Sequence, residues 1–235
     1  MKRKLINYFP LSLVIFFVSF FNIALKAQNN NSFVGFRSGI SIPFGEFGSQ
    51  SLDKGNFAQL GFQAAAEGAW FFKPHYGIGA SVGVNFHPID VSGLGAAMVQ
   101  SDPFLDDVYI RSESFLTIAT MAGPYIQFPL SNKFSFTGKF LIGMLYGQTP
   151  YQLYKPDFFG VDVPFYEITS SRDWKFSWMA GVGLRYDISP CFGFVFDSEF
   201  MYDTLKFNFN TLTGTRTDKE MFAIINLSLG IRLVL

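Results

Sequence analysis

The side chains in this sequence best placed to act as a catalytic base are two histidines, His75 and His87. A barrel enzyme acting on lipid would combine a histidine with a serine and a carboxylate. His87 has Asp90 and Ser92 close in sequence, but their spacing matches no esterase motif and both belong to an expected loop. The two histidines lie at opposite ends of one strand-like segment, 76–87, so they cannot share a metal ion. We therefore predict no catalytic site, no cofactor and no metal site, and we do not expect an enzyme.

The single cysteine, Cys191, and the placement of the glycines argue against further kinds of site. One cysteine cannot form an intrachain disulfide or a multi-cysteine metal site. The glycines alternate along strand-like segments and do not lead into a helix, so the sequence does not indicate a phosphate-binding loop.

Charged side chains recur on the small-residue face of segments whose other face is apolar. Eight residues share this placement: Arg37, Glu67, Lys139, Lys175, Arg185, Asp197, Glu199 and Arg232. A charge facing lipid near mid-membrane would cost ~2–4 kcal/mol, so these side chains are predicted to face inward and pair. They would form either a salt-bridged core that closes a barrel or a path for protons or ions. Arg37 and Glu67 are expected at similar depth and should interact, directly or through one intervening charge.

Two long connections carry the other candidate sites. Segment 88–113 has five acidic residues and one arginine, a net charge of −4, which suits either a divalent cation or a solvated, repulsive surface. Segment 147–172 is aromatic, and exposed aromatic residues can mark a contact site. Alternatively, these rings pack on neighbouring loops or extend the sheet. The candidate contact residues are Tyr151, Tyr154, Phe158, Phe159, Phe165 and Tyr166.

The elements that must position these residues are predicted from the alternation of apolar and polar residues with a period of two, which is typical of β-strands. At the C-terminus, Ile225, Leu227 and Leu229 share one face, while Asn226 and Ser228 share the other. Eight segments follow this pattern, at about 32–42, 56–72, 76–87, 114–128, 133–146, 173–187, 191–202 and 220–235. We therefore predict an all-β fold, an eight-stranded antiparallel up-and-down transmembrane β-barrel.

Short and long connections alternate strictly between these segments. Tight turns are predicted at 73–75, 129–132 and 188–190, and long loops at 43–55, 88–113, 147–172 and 203–219. Outer-membrane barrels have this alternation, with short periplasmic turns, long outer loops and an even number of strands. Both termini are therefore expected on the periplasmic side.

Segment 114–132 has no charge over 19 residues and is long enough to span a membrane as a helix. Gly123, Pro124 and Pro129 argue against a helix. The polar residues Thr117, Thr120 and Gln127 also argue against it. Pro124 would remove one hydrogen bond from a barrel ladder, which a β-bulge could accommodate.

The assignment of the two faces separates a membrane barrel from a soluble one. A lipocalin-like barrel puts its apolar side chains inside, whereas a membrane barrel turns them toward lipid. In segment 76–87, Ile78 and Val82 alternate with Gly79 and Ser81, and a face of glycine and serine cannot form a soluble core. Aromatic residues near both ends of the segments fit the girdles found at membrane interfaces.

The N-terminus has the layout of a secretory signal peptide, predicted over residues 1–27. A basic start precedes an apolar stretch that runs to Leu25, and Ala27 is the small residue before the expected cleavage. An uncleaved membrane anchor is the alternative, since about 20 apolar residues can span a bilayer. The predicted barrel domain, 28–235, has 14 basic and 18 acidic residues, so nucleic acid is not expected as a partner.

Three stretches carry a resemblance to a known family: Ile42–Phe47 (IPFGEF), Glu67–Phe72 (EGAWFF) and Gly77–Gly83 (GIGASVG). They resemble the small outer-membrane β-barrel domain family of Bacteroidetes-type bacteria, often labelled PorT-like. More distantly the chain is similar to OmpX and to the OmpA membrane domain. The resemblance covers the chain after the signal peptide and implies an outer-membrane barrel of a Gram-negative bacterium, with no specific role.

The expected role is that of a non-catalytic integral outer-membrane protein, monomeric, with membrane lipid around it. It would be structural or would contact an extracellular or envelope protein through its outer loops. A lipid-modifying barrel enzyme is one alternative, and it requires a nucleophile and a base that converge on one rim. A narrow transporter, a channel or a secretion-system accessory barrel is another, and conduction requires a continuous lumen that an eight-stranded interior does not offer.

Overall fold

The computed structural model describes residues 32–159, 161–211 and 214–235. The predicted signal peptide, 1–27, lies outside the described residues and stays a prediction. In the described part, twelve strands and one α-helix follow in chain order: β1 Phe33–Pro43, β2 Gly61–Phe71, β3 Tyr76–His87, α1 Val91–Ser101, β4 Leu105–Ser112, β5 Phe115–Pro129, β6 Phe134–Gln148, β7 Gln152–Phe158, β8 Val161–Asp162, β9 Tyr166–Ile168, β10 Arg172–Ser189, β11 Phe192–Thr211 and β12 Gly214–Val234.

Eight of these strands form a closed barrel in the order β1-β12-β11-β10-β6-β5-β3-β2. Each strand pairs antiparallel with its neighbours in this order, and β1 closes the ring against β12, with Arg37 opposite Gly230. The prediction of an eight-stranded antiparallel up-and-down barrel is confirmed. All three predicted tight turns lie at one end of the barrel, and the larger connections lie at the other, which we call the outer end.

The long connections at the outer end contain more regular structure than their composition indicates. Segment 88–113 holds α1 and β4, and segment 147–172 holds β7, β8 and β9. Strands β4, β7 and β8 form a second small sheet, to which β9 adds by pairing with β7. Segment 43–55 begins with a 3-10 turn at Gly45–Gly48. No helix in the described ranges has the length and apolar character needed to cross a bilayer.

The predicted loop 203–219 is wrong, because strands β11 and β12 continue through it as one long hairpin. Their pairing runs without interruption from Phe192 opposite Leu233 up to Thr211 opposite Gly214. The physical reason is visible in the residues themselves. Leu205 and Phe207 are buried and alternate with an exposed lysine and an exposed asparagine, so the period of two persists beyond the predicted strand end.

Pro124 fits into β5 without the bulge that we expected. The register between β5 and β6 is the same on both sides of it, with Ala122 opposite Ile142 and Tyr125 opposite Lys139. Gly123 and Pro124 are simply missing from that ladder, while Pro124 keeps its place opposite Ile78 of β3. The barrel therefore accommodates the absent backbone N–H of Pro124 by a two-residue gap in the ladder between β5 and β6.

The two faces of the barrel differ in the way that the alternation predicts. Side chains such as Phe36, Ile78 and Val182 point outward and are about half exposed. The inward positions carry glycine, serine, threonine and charged residues, together with some apolar side chains. The apolar surface of the barrel is therefore on its outside, and ionisable groups are buried within.

Candidate functional site

The centre of the barrel interior is a cluster of six charged side chains, which we call the charge cluster. Its members are Arg37, Glu67, Lys139, Asp197, Glu199 and Arg232. Each is at most 8% exposed. Three are cationic and three are anionic, so the cluster is balanced, as a group removed from water must be.

Glu67 lies between three cations. Lys139 donates from Nζ to Glu67 Oε2 at 2.7 Å, and Arg232 donates from Nη2 to Oε1 at 2.6 Å. The Nε atom of Arg37 lies 3.6 Å from Glu67 Oε2. The interaction expected between Arg37 and Glu67, directly or through one intervening charge, is therefore present as a direct contact, the longest of the three.

The closest partner of Arg37 is Glu199. Arg37 Nη1 and Glu199 Oε2 are 2.5 Å apart, and Lys139 Nζ lies 2.8 Å from the other oxygen of the same carboxylate. Asp197 Oδ2 lies 3.3 Å from Arg232 Nη2 and 3.8 Å from Lys139 Nζ. Every cation of the cluster thus lies near at least two carboxylates, which makes one network of it rather than three separate pairs.

Glycines on the inner face provide the space for these long side chains. A β-carbon built on Gly181 would lie 2.9 Å from Lys139 Cε and 3.0 Å from Glu199 Cγ. At Gly183 it would collide with the Asp197 carboxylate, and at Gly230 it would lie 2.6 Å from Arg37 Cβ. The alternating glycines of these strands are therefore required by the size of the cluster.

Aromatic side chains cover the charge cluster on the side of the short turns. Phe33, Phe71 and Tyr125 are buried there, and the rings of Phe33 and Tyr125 meet edge to face at 6.0 Å. The guanidinium carbon of Arg232 lies 4.1 Å from the centre of the Phe33 ring, a cation–π contact. The end of the interior nearest the short turns is thus filled with side chains.

A mixed layer of methionine and amide side chains covers the cluster toward the outer end. A void of about 10 Å³, which is room for about one water molecule, lies beside Arg37 and Glu199. Its other lining side chains include Met121, Met179, Met201, Gln63, Asn85 and Asn226. Above them, Phe47 of the 3-10 turn inserts into the barrel mouth. We call Phe47 and its three ring neighbours, His87, Phe115 and Phe222, the aromatic plug; they lie at 5.1, 5.2 and 4.7 Å from the Phe47 ring.

Two of the eight predicted charge-network residues do not belong to the charge cluster. Lys175 lies nearer the outer end, where its Nζ is 2.6 Å from Asp203 Oδ1. Arg185 lies nearer the turns, where its Nε is 2.8 Å from Asp187 Oδ1 and its Nη1 donates to Gln127 at 3.4 Å. The predicted network is therefore a cluster of six charges and two separate ion pairs. Lys175 pairs with Asp203 nearer the outer end, and Arg185 pairs with Asp187 nearer the tight turns.

Three of the four residues considered for catalysis are engaged in local structure, and the fourth, Ser92, is exposed on α1. His87 is fully buried in the aromatic plug. Asp90 caps α1, accepting from Gly93 N at 3.0 Å, and also accepts from Gln50 Nε2 at 2.8 Å. His75 lies in the first tight turn, with Nδ1 2.9 Å from the Gln127 carbonyl oxygen. The two histidines are thus at opposite ends of β3, as their positions in the sequence indicate.

The outer aromatic residues divide into packed and exposed ones. Tyr154 is buried and stacks on Tyr166, with ring centres 4.9 Å apart and planes at 3°. Phe158 packs with α1 and β4 around Leu105 and Val108. Tyr151 donates from its hydroxyl to Glu167 Oε2 at 2.5 Å.

Two rings of the same segment remain free for contact. Phe159 is 71% exposed, and Phe165 is 53% exposed with Lys155 Nζ 5.4 Å from its ring centre. The packing interpretation therefore holds for the rings that build the small sheet, while the two solvent-facing rings stay candidates for a contact site.

The acidic residues of segment 88–113 do not assemble into a metal site. No group of three or more histidine, cysteine, aspartate or glutamate side chains within the described ranges could hold a metal ion. Asp102 instead accepts from Phe104 N at 3.0 Å, and Asp107 accepts from Val108 N at 2.7 Å.

Neither α1 nor the burial of Phe47 is predicted from the sequence. Phe47 lies in the predicted loop 43–55, and its burial depends on where the 3-10 turn folds over the barrel mouth. A signal for α1 exists, since Asp90 is a good N-cap residue and two alanines and a leucine follow it. That helix could have been predicted, whereas the position of Phe47 could not.

No family model matches the sequence, and no curated protein matches it. Among solved structures, the chain is similar to Neisserial surface protein A, with a TM-score of 0.48 and 10% identity over 87% of this chain and 97% of that chain. It is also similar to Ail, the attachment invasion locus protein of Yersinia pestis, with a TM-score of 0.42 and 20% identity over 86% and 97%. For the outer membrane protein OprG from Pseudomonas aeruginosa, the TM-score is 0.45 and the identity 13% over 88% and 98%.

Proposed function

We propose that this protein is a non-catalytic integral barrel of the bacterial outer membrane, closed to solutes, which acts through its folded outer end. The observation that carries the proposal is the inverted distribution of polarity. A balanced cluster of six buried charges lies inside a barrel whose outer face is apolar. Water would favour the opposite arrangement, so the outer face fits lipid.

Aromatic residues on the outer face support a membrane position. Trp70, Phe72 and Tyr76 surround the first tight turn, each more than half exposed. Near the outer end, Tyr146 and Trp174 lie with ring centres 4.8 Å apart and face outward. Rings of this kind at the two ends of a barrel fit the two membrane interfaces.

The orientation follows from the size of the connections. Outer-membrane barrels place short turns in the periplasm and large loops outside. With that orientation both described chain ends, Ser32 and Leu235, face the periplasm, and α1 and the small sheet face the exterior. A tag inserted between α1 and β4, beside the 74% exposed Phe104, should be reachable from outside intact cells, whereas a tag after Leu235 should not.

The layered interior favours a closed barrel over a channel. Phe33, Phe71 and Tyr125 fill one side of the charge cluster, and the methionines and the aromatic plug fill the other. A non-catalytic role is favoured by His87, whose ring lies inside the plug and whose sequence neighbour Asp90 is engaged as a helix cap. The PorT-like assignment is a proposal that rests on the resemblance, and a secretion-accessory role is an alternative function.

Three measurements test the proposal. The protein should fractionate with outer membranes and should migrate differently on a denaturing gel before and after boiling, because a closed barrel satisfies its backbone hydrogen bonds between strands. Purified protein in planar bilayers should give no steady ion conductance. Identical gel mobility of membrane-extracted protein would contradict the barrel in the membrane, and steady conductance would contradict the closed interior.

Contact through the outer end has a more specific test. The double variant Phe159→Ala, Phe165→Ala removes the two exposed rings without touching Tyr154 and Phe158, which build the small sheet. A partner cross-linked on intact cells should be lost from this variant and retained by Phe128→Ala, a control near the second tight turn. Retention by both variants would show that these rings are not the contact.

A further inference from the structure

A cavity of about 510 Å³ lies at the outer end of the barrel, above the aromatic plug. Its walls come from the turn before β2, from α1 and β5, from the small sheet, and from the tall β11–β12 hairpin. This volume falls in the range of ~300–1,000 Å³ that is usual for small-molecule sites. The outer connections thus line an open cavity that none of the roles discussed above uses.

Part of the cavity lining is apolar and rigidly supported. Ile89 and Phe115 are buried members of the barrel core, and Leu94 and Phe209 pack against that core. All four line the cavity. The body of a ligand could therefore exchange water for an apolar surface there, which is the main source of affinity in such sites.

The charges of the lining are predominantly negative. Glu167, Asp218 and Glu220 contribute three carboxylates, and Arg216 contributes one cation. Arg216 is already paired, since it donates from Nε to Asp218 Oδ1 at 2.8 Å and its Nη2 lies 2.7 Å from Asp218 Oδ2. Within the described residues, neither Glu167 nor Glu220 has a cationic partner within ion-pair distance. The cavity therefore attracts cations and repels anions.

The type of cation follows from the same lining. The described residues include no cluster suited to a metal ion, and a bare metal ion would leave the apolar surface unused. An organic ammonium ion would use both parts of the cavity. The aromatic rings of Phe115, Tyr154 and Phe209 in the lining are also suitable neighbours for an organic cation.

We propose that this cavity binds a small organic ammonium ion, with its charge met by Glu167 and Glu220 and its apolar part on Ile89, Phe115 and Phe209. The proposal rests on the exterior-facing position of the outer end in the proposed function, but the site itself requires only the folded barrel. Burial raises the pKa of Glu220 to about 7, with a further contribution from Asp218, while the hydrogen bond from Asn56 and the charge of Arg216 act in the opposite direction. A bound ammonium ion would favour the ionised carboxylate, so binding should strengthen between pH 6 and pH 8.

Binding can be measured by isothermal titration calorimetry on barrel refolded in an uncharged detergent at pH 8. The probe is 2-phenylethylammonium, compared with 2-phenylethanol, which is neutral, and 3-phenylpropanoate, which is anionic. The ammonium ion should bind at least about tenfold more tightly than the alcohol, and the carboxylate should not bind. Glu220→Gln or Glu167→Gln should weaken ammonium binding about tenfold or more, a change that corresponds to ~1.4 kcal/mol.

The control variant is Asp106→Asn, because Asp106 is an exposed acid of the outer end that does not line the cavity. It should leave the affinity unchanged. Equal binding of the ammonium ion and the alcohol, no binding by a barrel that still shifts on heating, or unchanged affinity in both glutamate variants would overturn the proposal. These results would leave the membrane barrel intact, whereas failure of the fractionation test would overturn the proposed function and not the site.

Discussion

Arg232 and Glu67 meet across strand β1. Arg232 of β12 lies opposite Gly35 on one side of β1, and Glu67 of β2 lies opposite Gly35 on the other side. Arg232 donates from Nε and Nη2 to Glu67 Oε1, at 3.1 and 2.6 Å. Because Gly35 has no side chain, nothing on β1 separates the two at that level. This ion pair thus depends on a glycine between its partners.

Glu67→Gln should destabilise the barrel, because it leaves three buried cations with two carboxylates. Removal of one partner from a buried ion pair costs ~3–5 kcal/mol, and the void beside Arg37 offers little water to reduce that cost. Urea unfolding in detergent micelles measures the free energy. Glu113→Gln, at an exposed outer position, should have no effect. Equal stability of the two variants would show that the cluster is hydrated or rearranges.

Arg37 should couple more strongly to Glu199 than to Glu67. Arg37 Nη1 lies 2.5 Å from Glu199, whereas its Nε lies 3.6 Å from Glu67. Double-mutant cycles with Arg37→Met and either Glu199→Gln or Glu67→Gln give the two coupling energies, each expected within ~0.5–3 kcal/mol. A larger coupling to Glu67, or additive losses in both cycles, would contradict this arrangement of the cluster.

The sequence predicts which charges face inward but not which of them meet. Alternation in a pleated strand determines the face, so all eight charges could be placed on the inner side. Their height depends on the tilt and stagger of strands around the barrel, which no single segment contains. Arg37 lies opposite Ala65 and not Glu67, and its long side chain spans this offset. Lys175 and Arg185 share the inner face but are at different heights, where they form separate pairs.

The outer end was predicted less completely for a similar reason. The alternation of Leu205, Phe207 and Phe209 was sufficient to predict the long hairpin, so that error was avoidable. The insertion of Phe47 into the barrel mouth depends on contacts with Phe115 and Phe222, which are distant in sequence. Local patterns do not contain such information.

Phe47→Ala should destabilise the protein without opening it. Phe47 is 2% exposed, and truncation of a buried phenylalanine costs ~3–5 kcal/mol. The charge cluster and the layer of Phe33, Phe71 and Tyr125 still fill the interior below it. Urea unfolding should detect the loss, and planar bilayers should still show no conductance. Phe44→Ala, at a position 59% exposed, is the control for stability. Steady conductance of Phe47→Ala would show that the plug alone closes the barrel.

Glu220 should make the barrel less stable as pH rises from about 4.5 to about 7. Burial, and then Asp218, raise the pKa of Glu220 from 4.5 to about 7, while Asn56 and Arg216 act in the opposite direction. The folded state therefore holds this proton over a range in which the unfolded chain has lost it, so the contribution is complete below pH 4.5 and is lost through pH 7.

Glu220→Gln removes this titration, so the test is the difference between the native protein and the variant. Urea unfolding from pH 4.5 to pH 8 should show the native protein losing stability relative to Glu220→Gln up to about pH 7, and a constant difference above it. Glu113→Gln should follow the native protein at every pH, because its side chain is exposed. Parallel curves for the native protein and Glu220→Gln would mean that folding does not raise the pKa of Glu220, in which case the wall of the outer cavity is better hydrated than its packing indicates.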